Sequence, residues 1–246
     1  MSTKRIALLG YGKMGKMIES LALKKGHEIV LRIDRENADD LNQLHQAKID
    51  VAIDFSLPQT AVKNISKCLE AGIPVISGTT GWLDQLPSIQ ALCEKQAGAF
   101  LYASNFSIGV NLFFALNQYL ATLMNDQADY NIELEEIHHT QKLDAPSGTA
   151  ITLAEDILKK IDRKTSWSKE TSSTSETIPI LSKRIDAVPG THSINYHSPI
   201  DSIEIKHTAH SRIGFAAGAL LASEWIVGKT GCFGMADVFG FNKKDE

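Results

Sequence analysis

The sequence predicts an α/β fold in which a Rossmann-like domain is interrupted by an inserted α+β domain on an open mixed sheet. Up to Asn105, short apolar runs alternate with helical patterns, which is typical of parallel βαβ units. A glycine-rich turn over 10–15 follows the first apolar run, at the place where a Rossmann sheet carries such a turn. Beyond Asn105 this alternation stops and strand patterns are grouped together, which predicts a second kind of domain.

Five apolar runs in the first part predict parallel strands, and the segments between them predict helices. The run Ile6-Ala7-Leu8-Leu9 is continuously hydrophobic, as expected of a strand that is buried on both faces. Gly26, Gly72 and Gly98 occupy positions expected of helix C-caps. We therefore predict strands over 5–10, 28–34, 51–56, 74–79 and 99–104, and helices over 13–25, 60–71 and 84–96.

The inserted domain is predicted from a different order of patterns. Apolar spacing predicts helices over 109–124 and 147–161, and strand patterns occupy 131–137, 191–197 and 202–208. Because these strands are grouped, we predict that the mixed sheet is mostly antiparallel. The Ser- and Thr-rich stretch 164–177 predicts a mobile surface loop.

The end of the chain is predicted to return to the first domain. A helix is predicted over 220–227, and the apolar segment 237–241 follows it. The predicted boundaries are therefore 1–107 with 213–246 for the Rossmann-like domain, and 108–212 for the insertion.

Composition excludes several classes of function. The 246 residues carry 25 Lys and Arg against 29 Asp and Glu, so no bulk basicity points to nucleic acid or to a membrane surface. We expect no secretory signal and no membrane span, because the N-terminus runs into a strand pattern and the helix over 109–124 is too short. Three widely spaced cysteines argue against a disulfide scaffold and predict a reducing, cytoplasmic compartment.

The glycine-rich turn predicts a dinucleotide-binding site. Gly10 permits the tight turn, Gly12 lets the backbone approach a pyrophosphate, and Gly15 lets helix and strand pack closely. The helix N-terminus that follows favours phosphate through its N–H groups and its dipole. Asp34 lies 19 residues after Gly15, where an acid accepts hydrogen bonds from ribose hydroxyls. The alternative is a purely structural glycine turn.

The choice between NADH and NADPH stays open at this point. Asp34 favours NADH, because a carboxylate repels a 2′-phosphate. Arg35 beside it, with Lys13 and Lys16 nearby, would compensate such a phosphate, unless these cations are only a solvated surface. We therefore predict that the cofactor is NADH or NADPH.

The densest group of reactive side chains lies around His138, His139 and Lys142, at the end of a predicted strand. A small turn over 144–149 then enters a helix, for which Ser147 or Thr149 would serve as the N-cap. The group offers a proton donor that titrates near neutral pH, a fixed cation, and a helix N-terminus that binds carboxylate. It therefore predicts a site that binds an anion and transfers a proton.

The same group of side chains has two other interpretations, a metal site and an incidental surface run. A metal site is disfavoured and none is predicted, because Glu135 and Glu136 would lie on opposite strand faces and no further His motif accompanies them. An incidental surface run is the other alternative. The remaining histidines of the second half are assigned to the sheet or the surface: His192, His197, His207 and His210.

These motifs together resemble the dihydrodipicolinate reductases (4-hydroxy-tetrahydrodipicolinate reductases) of bacterial lysine and diaminopimelate synthesis. The resemblance extends over essentially the whole chain, and its most specific part is the His-His-x-x-Lys-x-Asp-Ala-Pro-Ser-Gly-Thr-Ala block over 138–150. It also rests on the glycine turn over 10–15, Asp54-Phe55-Ser56, Ser77-Gly78-Thr79-Thr80-Gly81, the segment 104–111 and the segment 211–219.

The resemblance implies NAD(P)H-dependent reduction of a dehydrated cyclic imine that bears two carboxylates. His138 and Lys142 would be the catalytic proton donors. The substrate carboxylates would be bound by His139, Ser147, Gly148 and Thr149. The cofactor would be bound by Gly10, Gly12, Lys13, Met14, Gly15, Asp34, Phe55, Gly78, Thr79, Thr80, Ala103, Ser104, Asn105 and Phe106.

The resemblance also implies how the domains are used. The domain over 1–107 and 213–246 would bind the dinucleotide, and the insertion over 108–212 would bind substrate and form a homotetramer through its sheet. Arg212 is a weaker candidate for a hinge or a substrate contact. Two alternatives were weighed: another NAD(P)-dependent enzyme such as an amino-acid dehydrogenase, and a non-catalytic redox sensor. The dehydrogenase would not need the block over 138–149, and the sensor would have no use for His138 and Lys142 together.

Overall fold

The computed structural model describes residues 2–170, 174–186 and 188–241. The strands are β1 (Arg5–Leu9), β2 (Glu28–Ile33), β3 (Val51–Asp54), β4 (Val75–Ser77), β5 (Ala99–Tyr102), β6 (Asn131–His138), β7 (Ser166–Ser168), β8 (Thr177–Arg184), β9 (Gly190–His197), β10 (Ser202–Ala209) and β11 (Gly231–Phe233). The helices are α1 (Lys13–Lys24), α2 (Pro58–Glu70), α3 (Leu86–Lys95), α4 (Ile108–Met124), α5 (Gly148–Leu158), α6 (Ile213–Ile226) and α7 (Met235–Phe239). Within these described residues, no helix has the length and apolarity that a membrane crossing requires.

The chain forms two compact units, which divide after Ile108 and again after Arg212. The first unit contains a parallel sheet and the second a mixed sheet. The predicted fold class, a Rossmann-like domain interrupted by an α+β insertion, is confirmed.

The sheet of the first unit has the strand order β11-β5-β4-β3-β1-β2, and each of these pairings is parallel. Strand β1 is buried on both faces, as its sequence predicts. Ile6 and Leu8 pack into a core shared with α1 and α6, whereas Ala7 and Leu9 pack into a core shared with α2 and α3. The carboxyl ends of β1, β3, β4 and β5 therefore lie along one edge of this sheet.

The first unit differs from the prediction at several elements: α6 begins at Ile213 and not at 220, and the 3-10 helix Arg35–Gln43 was not predicted. Strand β11 was not predicted, since Gly-Cys-Phe shows no apolar run; it is defined by pairing, with Gly231 N–H donating to Gly98 C=O at 2.8 Å. The helix predicted over 84–96 is divided into a 3-10 turn, Leu83–Gln85, and α3. Pro87 lies in the first turn of α3, where proline is favoured, so it marks the start of the α-helix.

The sheet of the second unit has the order β10-β9-β6-β8-β7. The prediction that it is mixed is confirmed, but the prediction that it is mostly antiparallel is wrong. The pairs β10–β9 and β9–β6 are antiparallel, whereas β6–β8 and β8–β7 are parallel. One face is buried under α4 and α5, and Ile194 and Tyr196 lie in that core, while Ile203 is 39% exposed.

The parallel half of this sheet was missed because β7 and β8 were not predicted. Pro179 interrupts β8, and a proline lowers the expectation of an internal strand. The structure accommodates Pro179 opposite Ser168 of the edge strand β7, and Ile178 and Ile180 enter the core. The loop predicted over 164–177 is therefore wrong at 166–168, which is strand; residues 171–173 lie outside the described part of the chain.

Candidate active site

The glycine turn of the first unit has the geometry that a dinucleotide requires. A Cβ at Gly10, whose φ is +93°, would lie 2.1 Å from Phe55 C=O, and a Cβ at Gly15 would lie 2.4 Å from Gly10 C=O. A Cβ at Gly12 would meet no described atom within 4 Å, so the backbone faces open space there. Gly10 and Gly15 therefore hold the turn tight, while Gly12 leaves room for a phosphate at the start of α1.

This turn forms one wall of a cavity of about 440 Å³, which Asp34, Arg35, Phe55 and Ser56 also line. Asp34 is the N-cap of the 3-10 helix Arg35–Gln43, and its Oδ1 accepts from Arg35 N–H at 2.8 Å. Asp34 therefore lies at the predicted ribose end and also caps a helix. Of the other predicted residues, Lys13 is exposed and Met14 packs against the core.

Sequence reasoning missed the residue that organises the neighbouring loops, Asp54 at the end of β3. Its carboxylate is fully buried and accepts four hydrogen bonds, from Ser56 Oγ at 2.7 Å, Asn64 Nδ2 at 3.1 Å, Ser77 Oγ at 2.8 Å and Thr79 Oγ1 at 2.7 Å. Burial raises the pKa of Asp54, and the four donors oppose that rise. The signal was the Asp54-Phe55-Ser56 motif, from which only Phe55 was assigned.

The remaining predicted cofactor residues follow β4 and β5. A Cβ at Gly78 would lie 2.2 Å from the Phe55 ring, so this position requires glycine. Phe106 is buried, with its ring centroid 5.6 Å from that of Phe55. Asn105 Oδ1 accepts from Ser107 N–H at 2.9 Å, so the loop after β5 is held locally. Thr80 and Ser104 are exposed, and Ala103 is half-buried. The first unit thus brings its predicted residues to one sheet edge, where they fit a nicotinamide dinucleotide.

In the second unit, His138 is the last residue of β6 and is buried. Its Nδ1 lies 3.4 Å from Oε2 of Glu136, two residues earlier on the same face of the strand. Burial lowers the pKa of His138; the Glu136 carboxylate opposes this, whereas Lys142 and Arg184 add to it. The imidazole is therefore held in its neutral form more readily than an exposed histidine.

The turn after His138 is held by ion pairs and by strand β8. Lys142 Nζ donates to both carboxylate oxygens of Asp144, at 2.7 and 2.8 Å. Arg184, on the unpredicted strand β8, donates through Nη2 to Asp144 C=O at 2.6 Å and to Glu136 Oε1 at 3.2 Å. Arg184 is a site residue for which the sequence carried no signal, because its strand was not predicted.

Ser147 is one of the two residues predicted as the N-cap of α5. It is confirmed as the N-cap of α5, because its Oγ accepts from Ala150 N–H at 3.2 Å. Its own N–H donates to Glu136 Oε2 at 3.0 Å, and its Oγ lies 3.1 Å from His192 Nε2. Ser147 therefore anchors the turn to the sheet, and its contact to substrate stays a prediction. Gly148 and Thr149 open the first turn of α5, where N–H groups lack helical acceptors.

His192 is a sheet residue, as predicted, but it also belongs to the candidate site. It is buried on β9 in register with Glu136, and its ring centroid lies 5.0 Å from that of His138. The pKa of His192 is lowered to about 4, chiefly by burial; the His138 imidazole contributes to this shift and the Glu136 carboxylate opposes it. No local pattern marked this residue, because its place beside His138 depends on strand pairing.

Glu136, His138 and His192 bring three ligand atoms within 4.8 Å of one another, a set that resembles a metal site. The sequence argument against a metal overlooked His192. The chemistry of the set nevertheless favours a hydrogen-bonded network. Arg184 and Ser147 already occupy Glu136 oxygens, and the cationic guanidinium lies 3.2 Å from Oε1.

His139 and Arg212 line a second cavity, of about 460 Å³, together with Thr140, Gln141, Asp186 and Ser211. This cavity belongs to the second unit, and neither His138 nor Lys142 lines it. His139 Nδ1 is buried without a hydrogen-bond partner among the described residues.

The Rossmann sheet, its glycine turn and the buried histidine cluster of the second unit define a nicotinamide-dependent oxidoreductase. The fold alone is shared with an amine dehydrogenase from Mycobacterium smegmatis, at a TM-score of 0.63 and 10% identity over 94% of each chain.

Comparison with known proteins gives the family. The family model "Dihydrodipicolinate reductase, N-terminus" matches residues 4–106, and "Dihydrodipicolinate reductase, C-terminus" matches residues 109–239. The chain is 53% identical to the 4-hydroxy-tetrahydrodipicolinate reductase of Christiangramia forsetii, over 95% of this chain and 96% of the relative. It is 36% identical to the reductase of the same name from Neisseria meningitidis serogroup A, over 92% of this chain and 85% of the relative. A dipicolinate-bound dihydrodipicolinate reductase from Paenisporosarcina sp. TG-14 superposes with a TM-score of 0.77 at 25% identity, over 96% and 99% of the chains. The chain belongs to the dihydrodipicolinate reductase family.

Proposed function

We propose that this protein reduces 4-hydroxy-tetrahydrodipicolinate, as its dehydrated cyclic imine, to tetrahydrodipicolinate with NADH or NADPH. One observation carries the proposal beyond family membership: a buried histidine and the N-terminal turn of α5 share one anchor, the Glu136 carboxylate. A substrate with two carboxylates needs an anion site, and its reduction needs a proton donor. The dipicolinate bound by the Paenisporosarcina relative is likewise a dicarboxylate.

The first unit holds the cofactor in this proposal. Gly12 and the start of α1 receive the pyrophosphate, and Asp34 receives a ribose. The loops after β4 and β5 line the nicotinamide end, and Asp54 holds the loop after β4 through its hydrogen bond from Thr79. The bound nicotinamide supplies a hydride to the conjugated imine of the substrate.

The second unit holds the substrate and delivers the proton. The N–H groups of Gly148 and Thr149 bind a carboxylate at the helix N-terminus, and His139 contributes from the adjoining turn. The reduced ring carries negative charge over its enamine and takes up one proton. His138 and Lys142 supply that proton as general acids, a contribution worth about 10²- to 10⁴-fold in rate. One imine, one hydride and one proton thus give the product, with the oxidised cofactor released.

The experiment that tests this proposal is direct. Purified protein is added to 4-hydroxy-tetrahydrodipicolinate generated in the assay, and nicotinamide absorbance is followed with NADH and NADPH at matched concentrations. Substrate-dependent loss of absorbance is expected. A protein that binds the cofactor but oxidises none of it in the presence of substrate would favour the sensor alternative.

The assembly and location that the resemblance implies are also proposals. We propose a homotetramer formed through the sheet of the second unit, where β10 is an edge strand whose Ser202, Ile203 and Glu204 are exposed. Light scattering at several concentrations tests the assembly. A cytoplasmic location is supported by the cysteines, which are free thiols in the described part of the chain.

A further inference from the structure

Glu136 is the most completely enclosed charged side chain beside the candidate proton donor, with an exposed fraction of 0%. Its Oε1 accepts from Arg184 Nη2 at 3.2 Å, and its Oε2 accepts from Ser147 N–H at 3.0 Å. The same Oε2 lies 3.4 Å from His138 Nδ1. A buried carboxylate is costly unless each oxygen has a partner, so this arrangement fixes the carboxylate firmly.

The carboxylate that lies beside the His138 imidazole is that of Glu136. Its Nδ1 is buried and forms no hydrogen bond with any described residue, while the nearest carboxylate oxygen lies 3.4 Å away. A charge-assisted N–H···O bond is about 2.7–2.9 Å long, so a small movement of the ring would complete it. Catalytic hydrogen bonds are often long in unliganded enzymes and shorten when substrate is bound.

The charges around His138 come from four elements. On β6, Glu136 favours the protonated imidazole, and on β8, Arg184 disfavours it. In the turn after β6, Lys142 disfavours the protonated form and Asp144 favours it. On β9, His192 packs edge-on against the His138 ring. Glu136 is therefore the buried group in this set that favours the imidazolium.

We propose that Glu136 is a positioning residue for His138: it accepts a hydrogen bond from Nδ1–H, fixes the ring, and stabilises the imidazolium form needed for proton donation. The inference rests on the proposed function, in which His138 donates a proton. Oε2 of Glu136 also accepts a hydrogen bond from Ser147 N–H. This one oxygen therefore holds both the proton donor and the turn of α5 that is proposed to bind a carboxylate. Binding of a substrate carboxylate at that turn and orientation of His138 thereby depend on the same group.

Glu136→Gln separates this role from a purely structural one. The amide oxygen still accepts from Ser147, but the negative charge is lost. We expect the pKa of the His138 imidazole, followed by NMR on the full-length protein, to fall by about one pH unit or more. The alkaline limb of the kcat profile should move to lower pH, and kcat should fall at least about tenfold, as when the carboxylate behind a catalytic histidine is lost.

Glu135→Gln is the matched control. Glu135 lies on the opposite face of β6 and pairs with Lys183, so its loss should leave the His138 pKa and kcat unchanged. Arg184→Gln should shift the pKa of His138 in the opposite direction. Since the guanidinium lowers the pKa of His138, its removal should raise that pKa, which keeps the inference testable if Glu136→Gln does not fold.

An unchanged His138 pKa in Glu136→Gln would overturn the inference, even if kcat fell, because a structural role alone would then explain the loss. An unchanged or lowered pKa in Arg184→Gln would count against it in the same way. The NMR titration needs no substrate. Failure of the proposed function would instead appear as a wild-type protein that oxidises no cofactor with substrate present.

Discussion

Thr79 Oγ1 donates a 2.7 Å hydrogen bond to the buried carboxylate of Asp54, and so joins the loop after β4 to the end of β3. Thr79 Oγ1 also accepts from Ser56 N–H at 2.9 Å, which ties the loop after β3 into the same network. Two of the loops proposed to hold the cofactor therefore take their shape from one buried carboxylate. This relationship predicts that Asp54 contributes to stability and to the shape of the proposed cofactor site.

Asp54→Asn should therefore damage both properties. The amide places an N–H₂ group against hydroxyl and amide donors, and leaves buried donors without an acceptor, which costs about 1–3 kcal/mol for each group. We expect the free energy of unfolding in urea to fall by about 2 kcal/mol or more, and NADH affinity to fall with it. Asp84→Asn, at an exposed position of the same unit, is the control. Wild-type stability for Asp54→Asn would show that the network adapts to an amide.

Gly12→Ala should weaken dinucleotide binding severely while the protein stays folded. The added methyl would meet no described atom within 4 Å, so the free protein tolerates it, but it would occupy the space intended for the pyrophosphate. Titration with NADH measures the affinity, and thermal unfolding checks the fold. Unchanged affinity would remove this turn from the cofactor site.

Asp34→Ala tests the choice of cofactor. If the carboxylate binds ribose hydroxyls, its loss should weaken NADH binding by about 1–3 kcal/mol, the cost of leaving polar partners unpaired. NADPH should lose less, because the repulsion of a 2′-phosphate is removed as well. Asp34 also caps the 3-10 helix Arg35–Gln43, so unchanged affinity for both cofactors would leave it with that role alone.

The first unit could be predicted from sequence because its signals are local. Continuous apolar runs define β1 and β3, helical spacing defines α1, and the glycine turn lies where one strand gives way to a helix. Strand β11 has no such signal, since its three residues are a strand only through pairing with β5. Asp54 was visible in a motif, but its four donors come from four separate positions.

The candidate site of the second unit was predicted only in part for the same reason. His138, His139 and Lys142 lie together in sequence, so their proximity needs no tertiary information. Arg184 and His192 reach Glu136 and His138 through the pairing of β8 and β9 with β6, which periodicity does not reveal. The hydrogen bond from Ser147 N–H to Glu136 could not be predicted either, because the two residues are 11 positions apart and meet only through the turn after β6.

The pKa of His192 predicts a pH-dependent stability. This pKa is lowered to about 4 in the folded protein, against an ordinary value near 6.5, so between these values the unfolded chain binds more protons. The contribution of neutral His192 to the free energy of unfolding, roughly 3 kcal/mol in all, is therefore fully present above pH 6.5 and is lost as the pH falls towards 4. His192→Gln should be less stable at pH 7.5 and should show a smaller loss over this range. His45→Gln, an exposed histidine, should retain the wild-type dependence, and an equal loss in His192→Gln would contradict the assignment.

The division of labour between His138, Lys142 and Thr149 is tested by steady-state kinetics. His138→Gln and Lys142→Ala should lower kcat by about 10²-fold or more with little change in NADH affinity, because proton donation lowers the free energy of the transition state. Thr149→Pro, which removes one of the N–H groups proposed to bind the dicarboxylate in the first turn of α5, should chiefly raise KM for it, since this contact is present in the ground state and the transition state alike. Lys142 also pairs with Asp144, so Asp144→Asn serves to show how much of the Lys142 effect comes from the shape of the turn. If the His138 and Lys142 variants both keep wild-type kcat and only raise KM, the group is an anion site and the proton must come from elsewhere.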